Sequence, residues 1–125
     1  MMFTASPQPA TTGAVVDHRR HLRFSCAAEV DATTVDGRRH LLATVSELSR
    51  CGCYVDTPDA FDVGAKIRIR IRHNGFSCDL PGRVIYVHKG WGMGVAFEGA
   101  TAAQLHALDE WLVQLCRRDL TGVFA

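Results

Sequence analysis

The sequence predicts a mainly β protein in which about six antiparallel strands form a barrel and one amphipathic α-helix follows them. Three observations predict this fold class. Apolar and basic residues alternate with period two in Lys66–Arg72, turn dipeptides such as Asn74-Gly75 separate the β-like segments, and helical periodicity begins only after residue 100. At 125 residues the chain is long enough for one domain with a hydrophobic core, so we expect a single unit.

The first three strands are predicted in the N-terminal half. Phe24–Val35 and Arg38–Val45 flank Asp36-Gly37, a dipeptide that favours a type I′ hairpin turn. Glu47–Gly52 is predicted to be a loop, and Cys53–Val55 is a short third strand after it. This half therefore contributes one long hairpin and one short strand.

The remaining strands follow a turn near residue 58. Lys66–Arg72 is the clearest strand in the chain, with isoleucines on one face and basic residues on the other. Phe76–Leu80 and Arg83–Val87 come next, and Pro81-Gly82 between them indicates a bulge or an edge. Trp91–Phe97 is the last strand, where two glycines allow strong curvature.

A single helix is predicted at about residues 101–118. Thr101 and Gln104 form a capping box, and leucines recur at helical spacing in positions 105, 108, 112 and 115. Gly122 is predicted to lie beyond the helix end. We expect this helix to pack against the barrel and to cover an opening or an edge.

The domain organisation follows from these elements. Residues 1–16 are rich in Pro, Ser, Thr and Ala without periodicity, and we interpret them as a flexible N-terminal arm. Residues 17–120 form the domain, and residues 121–125 form a tail. The net charge is only +1, which excludes a polycation that coats nucleic acid or an anionic membrane.

Five cysteines, an odd number without CxxC spacing, favour reduced thiols over a disulfide framework or a standard zinc site. A site of Cys51 and Cys53 on one strand face, with His21 or His40, is a minor alternative; our prediction is no bound metal. No signal peptide and no membrane-length apolar run are present, so we expect a cytoplasmic protein without membrane insertion.

Other function classes find little support in the sequence. No serine or cysteine stands with a base and an orienting acid, so we expect no enzyme and no catalytic residues. The basic residues of Lys66–Arg72 leave nucleic-acid binding as a minor alternative, but no aromatic residues are interleaved with them. Our prediction is therefore that nucleic acid is not a partner.

Basic residues are concentrated in Asp17–Arg23, immediately before the first strand. This segment holds Arg19, Arg20 and Arg23 together with two histidines. Arginine binds phosphate and the Hoogsteen edge of guanine bidentately, through a rigid fork of donors. The cluster therefore predicts an anionic ligand that carries guanine, with a solvated surface or a pair with Asp17 as the alternative.

A second polar motif is predicted between the second and third strands. Glu47 offers a carboxylate that accepts from guanine, Ser49 a hydroxyl, and Gly52 a backbone that a ligand can approach closely. Simpler roles also exist, since Glu47 could pair with Arg50 and Ser49 could stabilise its own turn. Tyr86 and Trp91 could stack on a purine, although packing in the barrel or at its rim is the preferred interpretation.

The two motifs resemble a known family. Arg19-x-x-x-Arg23 followed by Glu47-x-Ser49-x-x-Gly52 is similar to the RxxxR and (D/N)xSxxG signature of PilZ domains, bacterial receptors for cyclic di-GMP. The resemblance covers residues 17 to about 116 and includes the Gly94–Glu98 segment and the closing helix. It implies a six-stranded, split-barrel type PilZ fold that binds cyclic di-GMP and relays its presence to a protein effector.

Carried over to this chain, the resemblance implies that Arg19 and Arg23 bind guanine and phosphate and that Arg20 adds charge. Glu47 and Ser49 would hydrogen-bond the nucleotide, and Gly52 would let the backbone turn beneath the base. Residues 10–18 would wrap over the ligand. Glu47 departs from the Asp or Asn of the family, so a PilZ-type interaction adaptor that binds no cyclic di-GMP is the alternative function. The expected ligand is cyclic di-GMP, with no other cofactor.

Overall fold

A computed structural model describes the backbone of residues 23–124 and the side chains of residues 24–116. Six strands form a closed antiparallel barrel in the order β1-β2-β3-β6-β5-β4, and one C-terminal helix follows. The predicted fold class is confirmed. The elements are β1 (Arg23–Thr34), β2 (His40–Ser49), β3 (Gly52–Asp56), β4 (Lys66–His73), β5 (Phe76–His88), β6 (Gly92–Phe97) and α1 (Ala102–Phe124).

The barrel interior is a packed core and not a cavity for a ligand. On β4 the side chains of Ile67, Ile69 and Ile71 are buried, while the basic residues between them face outward. Apolar side chains from all six strands join the same core, because strand residues at spacing two point to one face. A ligand site of this domain must therefore lie on the outer wall or at an end of the barrel.

Two hairpin turns differ in type. Asn74 and Gly75 both have positive φ, at 49° and 84°, as a type I′ turn requires. At the first hairpin only Gly37 has positive φ, and its N–H donates to the carbonyl of Thr34 at 2.8 Å. The type I′ prediction for Asp36-Gly37 is therefore wrong. Asp36 instead accepts from the backbone N–H of Arg38, and this bond lowers the pKa of its carboxyl.

Pro81-Gly82 neither interrupts β5 nor forms the predicted bulge, because β5 is continuous and its register with β4 is regular there, whereas the edge alternative agrees with the pairing. β6 begins to pair with β5 only at Gly82. Pro81 therefore lies where β5 has a strand partner on one side only. The lack of an N–H on proline is tolerated at such a position.

Helix α1 starts with the predicted capping box, in which Thr101 N–H donates to Gln104 Oε1 at 2.8 Å and Gln104 N–H donates to Thr101 Oγ1 at 3.1 Å. The helix continues to Phe124, past the predicted end near residue 118, so Gly122 lies within it. Its buried side is formed by Leu108, Trp111 and Leu115, and Trp111 stacks on Phe76 with a ring separation of 6.0 Å. The helix packs mainly on β5 and shares the barrel core.

Candidate ligand-binding groove

The two sequence motifs meet across the first pair of strands. Arg23, the last residue of the first motif, is the direct cross-strand partner of Ser49, the central residue of the second. Arg19 and Arg20 lie outside the described residues, as do the predicted arm and the side chain of Arg23. Within the described residues, the pairing of β1 with β2 thus places the last residue of the first motif beside the central residue of the second.

A shallow groove of about 240 Å³ lies on the outer wall of the barrel beside this pair. Its lining includes the three predicted residues of the second motif, Glu47, Ser49 and Gly52. Register places Glu47 opposite Tyr54, Tyr54 opposite Gly94, and Gly94 opposite Tyr86, so one row of residues crosses β2, β3, β6 and β5. The predicted site residues of the second motif are therefore brought together.

Two β-bulges direct the side chains of this row outward. On β2, Val45 and Leu48 are both buried although they are three residues apart, because the register shifts between Val45 and Glu47. On β5, a shift between Val84 and Tyr86 leaves both Ile85 and Tyr86 exposed. Without these bulges, period two would turn Glu47 and Tyr86 into the core.

The loop predicted at Glu47–Gly52 is shorter in the structure, because Glu47 and Ser49 belong to β2 and only Arg50 and Cys51 form the turn. Ser49 organises this turn: its Oγ accepts from the N–H groups of Cys51 and Gly52, at 3.1 and 3.2 Å, and donates to the Gly52 carbonyl at 3.3 Å. The alternative role considered for Ser49, stabilising its own turn, is thus present in this structure.

Gly52 permits close contact between two backbones and is not merely a flexible position. It pairs with Ala96 on β6, and a Cβ at residue 52 would lie 2.1 Å from the carbonyl oxygen of Val95. Any side chain here would force β3 and β6 apart. Gly52 therefore allows β3 and β6 to pair closely beside the groove.

Tyr54, Tyr86 and His88 form an aromatic cluster on the outer wall, and the two tyrosines of this cluster line the groove. The ring centroids of Tyr86 and His88 are 5.2 Å apart, and the Tyr54 hydroxyl lies 3.0 Å from His88 Nδ1. Partial burial raises the pKa of Tyr54, and Tyr86 and Asp56 add to the effect. Sequence reasoning missed Tyr54; the signal was available, since Gly92 and Gly94 alternate on the neighbouring strand where tyrosine rings need room.

The two aromatic residues considered in the sequence behave differently. Tyr86 is on the outer wall, 41% exposed, and lines the groove. Trp91 lies in the turn before β6, is 78% exposed and does not line the groove. The preferred interpretation for both is packing in the barrel or at its rim. Neither side chain packs inside the barrel, and Trp91 is almost fully exposed in its turn, so Tyr86 is the better placed of the two for contact with a ligand.

The cysteines do not form the alternative metal site. Cys51 is exposed in the turn, whereas Cys53 points into the core, so the two do not share a strand face. The described His40 contacts Asp31. Among residues 24–116, whose side chains are described, no group of three or more potential ligands is positioned to hold a metal ion. Burial raises the pKa of Cys26 and of Cys78 to about 11, and raises that of Cys53 as well.

The basic face of β4 is partly neutralised by neighbouring strands. Arg70 donates to both carboxylate oxygens of Asp79, at 2.7 and 3.3 Å, which raises the pKa of the Arg70 guanidinium. Arg72 lies 3.8 Å from Glu29 on β1. These residues thus take part in cross-strand ion pairs on the barrel wall.

The described residues form a filled barrel with one closing helix and a groove on the outer wall. This arrangement defines a class of small β-barrel domains whose candidate site is external. A family model described as the PilZ domain matches residues 17–114. The chain therefore belongs to the PilZ domain family, whose members are in general non-catalytic receptors. In the described part of the chain, no helix is long and apolar enough to cross a membrane.

Several solved structures share the fold, including the following two. The PilZ domain of CeSA from a cellulose-synthesizing bacterium has a TM-score of 0.62 and 21% identity, covering 74% of this chain and 96% of that one. The Bacillus subtilis inhibitor of motility (MotI/DgrA) has a TM-score of 0.67 and 17% identity, covering 85% of this chain and 53% of that one. No curated protein matches the sequence significantly.

Proposed function

We propose that this protein is a cytoplasmic receptor for cyclic di-GMP, which binds the nucleotide on the outer wall of its barrel and relays the binding to a protein effector. The receptor performs no catalysis. The observation that carries the proposal is the pairing of Arg23 with Ser49, because it places the end of the arginine motif beside the groove that contains Glu47 and Gly52.

The chemistry of the groove supports a guanine ligand. The Glu47 carboxylate is an acceptor for the N1–H and N2–H donors of guanine, and the exposed ring of Tyr86 offers a face for base stacking. A volume of about 240 Å³ suits one nucleobase better than an entire dinucleotide. We assign the phosphates and the remaining base to Arg19, Arg20 and Arg23.

Isothermal titration with cyclic di-GMP tests this function. The wild type is expected to bind at protein concentrations of tens of micromolar, and Arg23→Ala is expected to abolish most of the heat. Arg68→Ala is the matched control, because it removes one exposed arginine from β4, away from the groove. Absence of heat with the wild type, or equal loss in both variants, contradicts the proposal.

The role of Glu47 is tested by restoring the residue typical of the family. Glu47→Asp shortens the side chain by one methylene, so a correctly placed bond to guanine is expected to tighten binding by about 1 kcal/mol, roughly fivefold. Glu47→Ala should weaken it. If both substitutions leave the affinity unchanged, Glu47 does not contact the nucleotide.

A second candidate is an interaction adaptor of the PilZ type that binds no nucleotide. It is favoured by Ser49, whose hydroxyl already accepts two hydrogen bonds and donates a third within its turn. A ligand would have to replace one of these bonds. Under this hypothesis the wild type binds no cyclic di-GMP, and the effect expected of Ser49→Ala is a lower stability of the fold.

A further inference from the structure

The turn of the second motif is tied to the C-terminal helix. Arg50, which lies between Ser49 and Cys51, donates through Nε to the Asp109 carboxylate at 2.9 Å. The two residues are 59 positions apart in sequence, and their side chains are about half exposed, at 46% and 45%. This ion pair directly links the turn of the second motif to helix α1.

Arg50 is held outside the groove although both of its neighbours line it. Ser49 and Cys51 contribute to the lining, and Arg50 does not. The turn backbone is fixed by the Ser49 hydroxyl, and the Phe97 N–H donates to the Cys51 carbonyl at 2.8 Å. The backbone is thus anchored, and the arginine side chain is the part of the turn that can change partner.

The helix holds Asp109 in place independently of this ion pair. Leu108 and Trp111, on either side of Asp109 in sequence, are both buried in the barrel core. Trp111 stacks nearly parallel on Phe76, with 5° between the ring planes. The carboxylate is therefore a fixed partner, whereas a half-exposed ion pair is weak enough for a bound anion to replace.

We propose that Asp109 is a positioning residue for the binding turn: it holds the Arg50 guanidinium away from the groove and so lowers the groove's affinity for an anionic nucleotide. This inference rests on the proposed function. A phosphate in the groove competes with the Asp109 carboxylate for the guanidinium, since both oxyanions accept the same fork of donors. By thermodynamic reciprocity, a nucleotide that binds the Arg50 guanidinium also breaks the ion pair between the turn and helix α1.

Titration of a set of full-chain variants with cyclic di-GMP tests the inference. Asp109→Asn is expected to bind about two- to fivefold more tightly than the wild type. A change of this size corresponds to the free energy that an exposed ion pair typically contributes. The same substitution in an Arg50→Gln background is expected to have no effect. Glu110→Gln is the matched control, because it removes one exposed carboxylate from the adjacent helix position, where Glu110 faces His106 at 3.4 Å.

Amide hydrogen exchange of residues 102–116 provides a second readout. Cyclic di-GMP is expected to speed exchange in these residues in the wild type and to leave it unchanged in Arg50→Gln, which has no ion pair to lose.

The inference is overturned if Asp109→Asn does not alter the affinity, if Asp109→Asn has the same effect in the Arg50→Gln background, or if Glu110→Gln reproduces its effect. In those cases the wild type still binds, and the receptor function stands. Absence of binding in every variant overturns the proposed function, and this inference with it.

Discussion

The ring of Tyr86 lies directly over the backbone of Gly94, so that a Cβ added at residue 94 would stand 2.2 Å from the ring carbon Cε2. The two residues are cross-strand partners on β5 and β6, next to the bulge that turns Tyr86 outward. Gly94 is therefore the position that determines where this ring can lie. Because the ring lines the groove, its position bears on any ligand that stacks there.

Gly94→Ala is expected to displace the Tyr86 ring and to weaken cyclic di-GMP binding while the barrel remains folded, since a 41% exposed side chain can move outward. Loss of one base–aromatic stack corresponds to about 1–3 kcal/mol of binding free energy. Titration calorimetry measures the affinity, and circular dichroism checks the fold. Tyr86→Phe, which retains the ring, is the control and should bind almost as well as the wild type. Unchanged affinity in Gly94→Ala would show that Tyr86 is not a stacking platform.

Gly52→Ala is expected to destabilise the barrel itself. The added Cβ would meet the Val95 carbonyl oxygen, a backbone atom that cannot move without disturbing the pairing of β3 with β6. We expect a loss of more than about 2 kcal/mol in the free energy of unfolding, measured by urea denaturation.

Gly90→Ala is the control for this experiment. Gly90 has a φ of +80° but open space around it, so its substitution tests backbone strain alone, at about 1 kcal/mol. If the two variants are equally stable, the close contact at Gly52 does not determine the strand spacing.

Trp111→Ala is expected to release helix α1 from the barrel. Trp111 is 2% exposed and stacked on Phe76, so its removal leaves a large cavity and should cost about 3–5 kcal/mol in the free energy of unfolding. Val113, on the same helix, is 49% exposed, and Val113→Ala should change stability by less than about 0.5 kcal/mol. Chemical denaturation compares the two. A similar small cost for both would mean that the helix is not an integral part of the core.

The sequence predicts a strand or a helix well where its apolar residues recur with a clear period. β4 could be predicted because Ile67, Ile69 and Ile71 alternate with basic residues, and a period of two has a single structural meaning. The Asn74-Gly75 turn was predictable for a similar reason, since both residues tolerate positive φ.

The candidate site was predicted in its residue types but not in its shape. Glu47, Ser49 and Gly52 do line one groove, as the motif suggested. The bulges that turn Glu47 and Tyr86 outward could not be predicted, because an extra residue in one strand is defined only by the register of its partner. The Arg50–Asp109 ion pair could not be predicted either, because the two residues are 59 positions apart and meet only after the helix has packed on the barrel.

Cys51 offers a direct probe of the groove, because it is the exposed cysteine among residues 24–116 and it lines the candidate site. Cys53 and Cys78 are buried, and burial raises the pKa of both thiols. A thiol reagent at pH 8 is therefore expected to label Cys51 first in the native protein and to reach Cys53 and Cys78 only on unfolding. Mass spectrometry of tryptic peptides locates the label. Cyclic di-GMP should slow the labelling of Cys51 in the wild type but not in Arg23→Ala, and a ligand that binds without protecting Cys51 would place the binding site elsewhere on the barrel.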